Sequence, residues 1–336
     1  MKLGVRYDLR SPSFGAAFAD LYPAAIEQCA WADRLGFETV SLAEHHGADD
    51  GYCASPMVVA SGIAARTTRL RINLSALVGV LHHPLRLAED LATLDLISEG
   101  RIAMTLGMGY RPHEYEMFGI EKSRRGPLLE EIVSVLDQAW TGEPFEFHGT
   151  TVMVRPTPVQ KPRPPIYIGG STEASAIRAA RFGDNYFPAL PHLTEIYEAE
   201  RQRLGLEVPP RPDRGPAGPF FIYVTEDPER DWELVGPHVL YATNMTAEWA
   251  KERVVNGQIV GATPYPEMQD IDALKASERF FVGTPEDCVR LARSLGQNAT
   301  LNLHPLMGGL HPDIAWHSLE LFEGKVLPAL VELGYR

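Results

Sequence analysis

Cysteine and concentrated positive charge are both scarce in this sequence. The 336 residues include 3 cysteines, Cys29, Cys53 and Cys288, which lie far apart. An odd number of scattered thiols argues against a disulfide framework and against a thiolate zinc site, and it favours a reducing compartment. The formal net charge is −13, and no run of Lys or Arg stands out. Because nucleic acids and anionic membranes need a basic surface, we expect neither as a partner.

Long apolar runs are missing as well. The opening stretch MKLGVRYDLR has no apolar core of signal-peptide length, and no later stretch is long enough to span a bilayer. The 45% of apolar residues nevertheless suits a globular protein with a substantial core. We therefore expect a cytoplasmic protein.

Short β-rich runs alternate with longer runs of helical period through most of the chain. Eight of them predict strands, at residues 2–7, 37–43, 70–77, 101–107, 165–170, 185–190, 219–224 and 300–304. Eight short strands, each followed by a helix, are typical of a (β/α)8 TIM barrel, which is an α/β fold. A doubly wound open sheet would alternate in the same way and stays open as the alternative fold.

No fixed repeat, low-complexity tract or convincing linker divides the chain. We therefore interpret residues 1–336 as a single barrel domain with inserted segments. The stretch GEPFEFHGTTVMV predicts a hairpin inserted near residues 143–155. The segment near 227–281 has the least regular pattern, and we interpret it as an insertion before the last strand.

The second predicted strand ends in a charged motif. If the barrel prediction holds, functional residues lie at the carboxyl ends of the strands, and AEHH places Glu44, His45 and His46 there. Further histidines follow the third, fourth and eighth strands, so a composite metal site is one interpretation. Adjacent side chains on extended chain point to opposite sides, which makes the histidine pair a poor source of two ligands. Acid/base chemistry is the other interpretation, since histidine exchanges protons near neutral pH.

The fourth predicted strand closes with glycines, in the stretch TLGMGY. Gly107 and Gly109 flank Met108, and Tyr110 follows. The missing β-carbons would let a flat ligand lie against the mouth of the barrel. Backbone flexibility alone would explain the same glycines, because the third glycine of a dinucleotide-binding fingerprint is missing.

The fifth predicted strand also ends in glycines, in IYIGGSTEAS. Gly169 and Gly170 lead into a helix that Ser171 or Thr172 caps. Exposed N–H groups and the positive end of the helix would suit a phosphate or another anion there. An ordinary capped helix is the simpler interpretation.

Four stretches of the sequence carry a resemblance to a known family. They are AEHHG, HHPLRLAEDLATLDLISEGRIAMTLGMGYRPHEYEMFGI, RGPLLEEIVSVLDQAWTGEPFEFHG and PVQKPRPPIYIGGSTEASAIRAARFGDNYFP. Together, and in this order, they resemble the bacterial-luciferase-like family of flavin-dependent oxidoreductases. The resemblance covers the chain from about Gly36 to Pro188. It implies a (β/α)8 barrel that binds reduced FMN, or the deazaflavin coenzyme F-420, at its mouth.

The resemblance also implies roles for individual residues. His45 would be a catalytic acid/base near the reacting carbon of the flavin, and Glu44 would position the cofactor at the ring edge; His46 receives no role. The phosphate would be held by the helix that begins after Gly170 and by Arg124 or Arg125. The implied cofactor-binding residues are Ser75, Ala76, Gly107, Met108, Gly109, Tyr110, Arg125, Gly169, Gly170 and Ser171.

The resemblance raises two further points about these residues. The family often has a non-proline cis peptide at the end of the third strand, which would be Ser75–Ala76 here. Luciferase itself has an arginine for the phosphate at the position of Met108. That departure leaves the anchoring of the phosphate, and the choice between FMN and F-420, open.

The most specific interpretation is a two-component monooxygenase that acts on a small organic substrate with O2. FMNH2 would come from a separate flavin reductase, because the sequence shows no NAD(P)-binding fingerprint. The AEHH motif favours FMN over F-420. The alternatives are an F-420-dependent hydride-transfer oxidoreductase, a metal-dependent barrel hydrolase and a non-catalytic flavin-binding protein. The resemblance favours a homodimer.

The identity of the substrate does not follow from the sequence. Tyr110, His113 and Phe187 are candidates for lining its pocket, although aromatic residues at strand ends are as often packing residues. The loops after the seventh predicted strand and around Tyr265 match no pattern that assigns a substrate.

Overall fold

A parallel sheet of seven strands forms the centre of this computed structural model, which describes residues 1–188, 190–210, 216, 218–252, 254–255, 258–259 and 266–335. The strands in the described ranges, seven of which form this sheet, are β1 (Lys2–Tyr7), β2 (Thr39–Leu42), β3 (Arg71–Val78), β4 (Ile102–Gly107), β5 (Phe145–Phe147), β6 (Thr150–Val152), β7 (Ile166–Gly170), β8 (Asn185–Pro188), β9 (Phe221–Val224), β10 (Val254–Val255), β11 (Gln258–Ile259), β12 (Phe280–Gly283) and β13 (Thr300–Leu303).

The helices mostly alternate with these strands. They are α1 (Phe18–Arg34), α2 (Pro56–Arg66), α3 (Pro84–Ile97), α4 (Pro112–Met117), α5 (Arg125–Ala139), α6 (Glu173–Phe182), α7 (Leu193–Arg203), α8 (Pro228–Ala250), α9 (Ile271–Ala276), α10 (Pro285–Leu295), α11 (Pro312–Leu321) and α12 (Leu327–Glu332). Short 3-10 turns occur at Gly79–Leu81, Lys122–Arg124 and Met307–Gly309, and a π-helical turn occurs at Phe322–Val326. Each helix in the described ranges is too short or too polar to cross a membrane.

The strand order of the main sheet is β13-β1-β2-β3-β4-β7-β8, and all neighbours are parallel. The chain adds strands in sequence and returns its last strand beside its first. A doubly wound sheet would instead reverse its order at an inner strand. The doubly wound alternative is therefore wrong, and the sheet is a curled parallel half-barrel.

The remaining parallel strands do not complete a closed ladder. β9 and β12 form a separate pair, with Phe280 opposite Phe221. This pair approaches the main sheet where Gly218 donates its N–H to the carbonyl of Thr300 at 3.4 Å. The expectation of a closed (β/α)8 barrel is thus met only as a half-barrel in the described strands. β12 was not among the eight predicted strands, because FFVG is short and lies at the end of the supposed insertion.

The segment near 227–281 is more regular than its sequence indicated. It contains α8, the longest helix in the described ranges. The side chain of Asp227 accepts the N–H of Arg230 at 3.3 Å, and a proline occupies the first helical position. Pro237 lies inside the helix, and a proline there is a weak signal of a continuous helix in the sequence. Tyr265 lies outside the described residues.

A hairpin lies near residues 143–155, where the sequence predicts one. β5 and β6 pair antiparallel, with Phe145 opposite Val152. His148 and Gly149 form the turn with φ angles of 49° and 78°. Two successive positive φ angles give the tight turn whose twist matches that of the paired strands.

The carboxyl ends of the main strands bring separate parts of the sequence together. Glu44 follows β2, Gly107 ends β4, and His304 follows β13. Beneath them, the strands bury apolar side chains such as Val5 and Leu74. The site at these strand ends is therefore assembled on an apolar base.

Candidate active site

Glu44 is the centre of a buried hydrogen-bond network. Its Oε1 atom accepts hydrogen bonds from Nε2 of His46 and Nε2 of His82, both at 2.8 Å. Its Oε2 atom accepts the backbone N–H of Val78 at 2.6 Å. Burial raises the pKa of this carboxyl, but the hydrogen bonds from His46, His82 and Val78 and the charge of His82 together lower it below its ordinary value. An ionised Glu44 therefore links the ends of β2 and β3.

His45 faces a different set of neighbours from His46, as alternation along extended chain requires. Its Nδ1 atom lies 2.8 Å from Oε1 of Glu114. The ring packs among Tyr52, Tyr110 and Trp249, with centroid distances of 5.0, 5.6 and 4.8 Å. His45 is thus a polar group set in an aromatic pocket.

The pKa of His45 lies below its ordinary value. Burial lowers it most, the hydrogen bond and charge of Glu114 raise it, and the charges of Arg10 and Arg111 lower it. The imidazole is therefore neutral near neutral pH. Because Nδ1–H donates to Glu114, Nε2 is the nitrogen that can accept a proton.

Glu114 is a site residue that sequence reasoning missed. It lies on α4, is 0% exposed, and also accepts the N–H of His46 at 3.0 Å. Its Oε2 atom has no hydrogen-bond partner among the described residues. A glutamate in the short polar stretch RPHEYEM resembles a solvated residue, so the sequence carried no usable signal of its burial. His113, predicted to line the pocket, is exposed and lies over Gly47.

A cavity of about 50 Å³ opens beside His45. Its walls come from the ends of β1 and β13, the loop after β2, and α8. The lining residues are Arg6, Asp8, Arg10, His45, Tyr52, Ala242, Thr246, Trp249, His304 and Met307. Tyr110 contacts the His45 ring but does not belong to this lining, and Phe187 is 42% exposed on β8.

A second cavity lies on another side of α8. It has a volume of about 360 Å³ and is open and mainly apolar. Its lining consists of Phe14, Pro237, Leu240, Tyr241, Asn244 and Met245.

The glycine-rich end of β4 lies against the end of β3. A β-carbon on Gly107 would lie 3.4 Å from Cβ of Ala76, and one on Gly109 would lie 2.9 Å from Val78. Gly109 also has a φ of 71°, which side chains rarely tolerate. The peptide between Ser75 and Ala76 is cis, as predicted. The candidates Ser75, Ala76 and Gly107–Gly109 therefore form one continuous surface.

Basic side chains surround the loop after β4. Lys122 Nζ donates to the carbonyl of Tyr110 at 2.7 Å, and the Tyr115 hydroxyl donates to the carbonyl of Met108. Burial raises the pKa of Tyr115 to about 12, while the positive charge of Arg125 acts in the opposite direction. Arg125 Nη1 lies 3.4 Å from the carbonyl of Lys122. The predicted basic residue is thus close to this loop.

Arg178, on α6, is a second residue that the sequence analysis missed. Its Nη1 atom lies 3.8 Å from Sδ of Met108, and its Nε atom donates to Glu130 at 2.9 Å. Its side chain is 16% exposed. Arg178 therefore brings a guanidinium beside Met108 from α6.

The start of α6 is capped by Thr172 rather than Ser171. Thr172 and Ser175 exchange hydrogen bonds between side chain and backbone, at 3.2 and 3.1 Å. Gly170 has no room for a β-carbon, because Ser175 fills that space. Ser171, immediately before the cap, is half-buried between the strand and the helix.

The described residues give no support to the metal-site interpretation. Within the described ranges, no group of three or more His, Cys, Asp or Glu side chains is arranged to hold a metal ion. Glu44, His46 and His82 bond to one another instead. Burial raises the pKa of Cys53 to about 12, which keeps that group a neutral thiol.

Curated relatives match about half of the chain. The oxygenase component of flavin-dependent trigonelline monooxygenase from Acinetobacter baylyi is 30% identical over 173 residues, which cover 49% of this chain and 48% of that protein. An F420-dependent glucose-6-phosphate dehydrogenase from Microbacterium testaceum is 28% identical over 178 residues, which cover 49% of this chain and 52% of that protein. The chain thus spans about half the length of the curated relatives it matches.

Solved structures match over nearly the whole chain. The oxygenating constituent of 3,6-diketocamphane monooxygenase from Pseudomonas putida, in complex with FMN, gives a TM-score of 0.71 at 19% identity and covers 98% of both chains. At that identity the likeness shows a shared fold. The family described as luciferase-like monooxygenase matches residues 6–299. This chain belongs to the luciferase-like monooxygenase family.

Proposed function

We propose that the protein is a monooxygenase that uses FMNH2 and O2 to oxidise a small organic substrate. The environment of His45 carries the proposal: a neutral imidazole at the end of β2, held by buried Glu114, lines a cavity with aromatic walls. Family membership supports flavin chemistry at this place. Relatives named for flavin or F420 dependence support a flavin or deazaflavin as the cofactor.

The cofactor ring would be held where β3 and β4 end. Gly107 and Gly109 add no β-carbons of their own to this surface, which suits a flat ring. The buried Oε2 atom of Glu114, which lacks a partner among the described residues, adds a hydrogen-bond acceptor nearby. The residues proposed to hold the ring are Ser75, Ala76, Gly107, Met108, Gly109 and Tyr110.

The cofactor phosphate would be held at the start of α6. Gly169, Gly170 and Ser171 precede the first turn, whose N–H groups favour an anion. Arg125 and Arg178 would supply positive charge, and the position of Arg178 beside Met108 compensates for the missing arginine. This set fits a phosphate-bearing flavin better than a ring without phosphate.

When bound, reduced flavin supplies the electrons that activate O2 for transfer of an oxygen atom to the substrate. His45 would exchange a proton at Nε2, while Glu114 orients the ring through Nδ1 and stabilises the imidazolium. Glu44 would act as a positioning residue, because its carboxylate is already bonded to His46, His82 and Val78. Aromatic walls would keep water from the reacting atoms.

Hydride transfer with coenzyme F-420 is the second candidate function. It is favoured by the similarity to the F420-dependent dehydrogenase, although the AEHH motif favours FMN. No contact in the described ranges favours the metal-dependent hydrolase. A non-catalytic flavin-binding protein would leave the buried pair of His45 and Glu114 without a purpose.

Other parts of the proposal concern the whole assembly. We propose a separate flavin reductase as partner, in keeping with a relative that is described as an oxygenase component. The bond from Gly218 to Thr300 supports closure of the strands into a (β/α)8 barrel. A homodimer, a cytoplasmic location and a single domain stay predictions.

The test combines cofactor binding with O2 consumption. Purified protein would be titrated anaerobically with FMNH2 and with reduced F-420, followed by fluorescence. O2 uptake would then be measured with a flavin reductase and NADH, with and without candidate substrates. Tight F-420 binding without FMNH2 binding would favour the second candidate. Flavin binding without substrate-dependent O2 uptake across a broad panel would overturn the monooxygenase assignment.

A further inference from the structure

The cavity beside His45 contains buried polar groups that the proposed reaction does not use. Arg10 is 1% exposed, and its Nη2 atom has no hydrogen-bond partner among the described residues. His304 is 2% exposed, and neither of its ring nitrogens has a hydrogen-bond partner among the described residues. Buried polar atoms are nearly always bonded in folded proteins. Atoms of this kind in a cavity wall are available to bond a ligand that enters the cavity.

The orientation of Arg10 is set by its neighbours. Its Nη1 atom is paired with Asp50, which also accepts the hydroxyl of Tyr241 at 3.0 Å. Its guanidinium carbon lies 4.7 Å from the ring centre of Tyr52 and 4.2 Å from that of Trp249. The salt bridge and the two aromatic rings hold the planar guanidinium in one orientation. Its Nη2 atom is then available to donate a hydrogen bond to a ligand.

His304, which follows the neighbouring strand β13, adds a second group to the cavity. Burial lowers its pKa far below the ordinary value, and the charges of Arg6 and Arg10 act in the same direction. The neutral ring has one N–H donor, and its surroundings favour negative over positive charge. Among the described residues, the closest carboxylate oxygen is Oδ2 of Asp8, 3.7 Å from Nε2, which is beyond a hydrogen bond.

Asp8 is the lining group that could attract a cation, but its oxygens are in use. Oδ1 accepts the N–H of Arg10 and Oδ2 accepts that of Gly308, each at 3.2 Å. Burial raises the pKa of Asp8, which weakens its hold on a cation. A ligand that only donates hydrogen bonds would also meet the positive charges of Arg6 and Arg10.

We propose that Arg10 Nη2 and the His304 ring form a subsite for an oxygen acceptor, a carboxylate or a ketone carbonyl, at one end of the substrate. The inference rests on the proposed function, since it takes the cavity beside His45 as the substrate site. A volume of about 50 Å³ suits a small polar head group and excludes a flavin ring. The substrate would then be a small carboxylic acid or ketone whose oxygen is held apart from the carbon that reacts near His45.

The test uses three probes of nearly equal size: acetate, acetone and isopropylamine. Protein labelled with 5-fluorotryptophan would be titrated at matched ionic strength and followed by fluorine NMR. The Trp249→Phe variant assigns the signal of Trp249, which lies against Arg10. We expect acetate, acetone or both to shift this signal saturably and isopropylamine to leave it unchanged. Response to acetate alone identifies a carboxylate ligand, and response to acetone alone identifies a carbonyl.

Two variants tie the response to the subsite. Arg10→Lys keeps the charge but removes Nη2, and it should weaken acceptor binding about tenfold or more. His304→Leu should also weaken acceptor binding. It is the variant to measure if Arg10→Lys does not fold. Arg66→Lys is the matched control, because that exposed arginine pairs only with Glu27 in the described contacts. Full acceptor affinity in either folded subsite variant would overturn the proposal.

Failure of the subsite and failure of the proposed function give different results. If the wild-type protein binds FMNH2 or reduced F-420 but neither acetate nor acetone, or binds isopropylamine equally well, the subsite is wrong. If the acceptors bind but neither reduced cofactor does, the subsite stands as a binding site and the flavin function is wrong.

Discussion

The Nδ1 atom of His45 lies 2.8 Å from Oε1 of Glu114, across 69 positions of sequence. The contact joins the end of β2 to α4, and it gives a neutral imidazole a fixed orientation. The same carboxylate oxygen accepts the N–H of His46. One buried glutamate thus organises both histidines of the AEHH motif.

Removing His45 should separate flavin binding from oxidation. His45→Ala keeps the surface formed by β3 and β4, so we expect nearly normal affinity for reduced flavin. Loss of a positioned acid/base should lower the substrate oxidation rate by about 10²–10⁴. The O2 consumed would then appear as H2O2, measured with a peroxidase assay. His113→Ala, which changes an exposed histidine, is the control. Wild-type turnover in His45→Ala would show that the assignment is wrong.

Glu114→Gln should change the pH dependence of the reaction. Glu114 raises the pKa of His45, so loss of its charge should lower that pKa further. The part of the pH–activity profile that reflects the titration of His45 should move to lower pH. The kcat should fall about tenfold or more, because the imidazolium loses the carboxylate that stabilises it. The exposed Glu116, changed to Gln on the same helix, is the matched control. A reduced rate with an unmoved pH profile would argue for a structural role only.

Ser171→Asp should weaken flavin binding. The new carboxylate would face the proposed phosphate at the start of α6, and like charges at short range should cost about tenfold or more in affinity. Fluorescence titration with FMN and with riboflavin measures the effect, since riboflavin lacks the phosphate. We expect a loss for FMN and little change for riboflavin. Equal affinity of the variant and the wild type for FMN would place the phosphate elsewhere.

Arg178→Gln should also weaken the binding of FMN and leave the binding of riboflavin unchanged. Its guanidinium lies beside Met108, where it would add positive charge for the phosphate. FMN affinity should fall, riboflavin affinity should not, and the loss for FMN should shrink at high salt. Arg181→Gln, which removes an exposed arginine of the same helix, controls for general effects. A matching loss for both ligands would assign Arg178 to packing instead.

Acid should destabilise the protein through His304. Its pKa in the folded protein lies well below the ordinary value, whereas in the unfolded chain it binds a proton below about pH 6.5. The unfolded state therefore binds more protons, and the free energy of unfolding should fall as pH drops from about 6.5. His304 should contribute up to about 1.4 kcal/mol per pH unit.

Urea unfolding at several pH values measures this slope. His304→Leu should reduce it, and His317→Leu, which changes an exposed histidine, should not. An unchanged slope in His304→Leu would contradict the pKa direction and would weaken the case for a neutral ring in the cavity.

Much of the fold follows from local patterns in the sequence. All eight predicted strands occur, and the hairpin forms because His148 and Gly149 allow a tight turn. The AEHH motif and the glycine stretches fall at strand ends, where they were expected. The divergence of His45 and His46 also follows from the sequence, because side chains alternate along extended backbone.

Tertiary structure decided the partners of these residues. Glu114, Arg178 and Trp249 reach the site from helices whose sequences look like ordinary surface or packing segments. The same holds for Arg10 and His304, which stand at opposite ends of the chain and meet because β1 pairs with β13. Periodicity and capping depend on neighbours a few positions away, so one sequence displays them. Burial of a charge depends on which distant segments pack around it, and no local pattern encodes that.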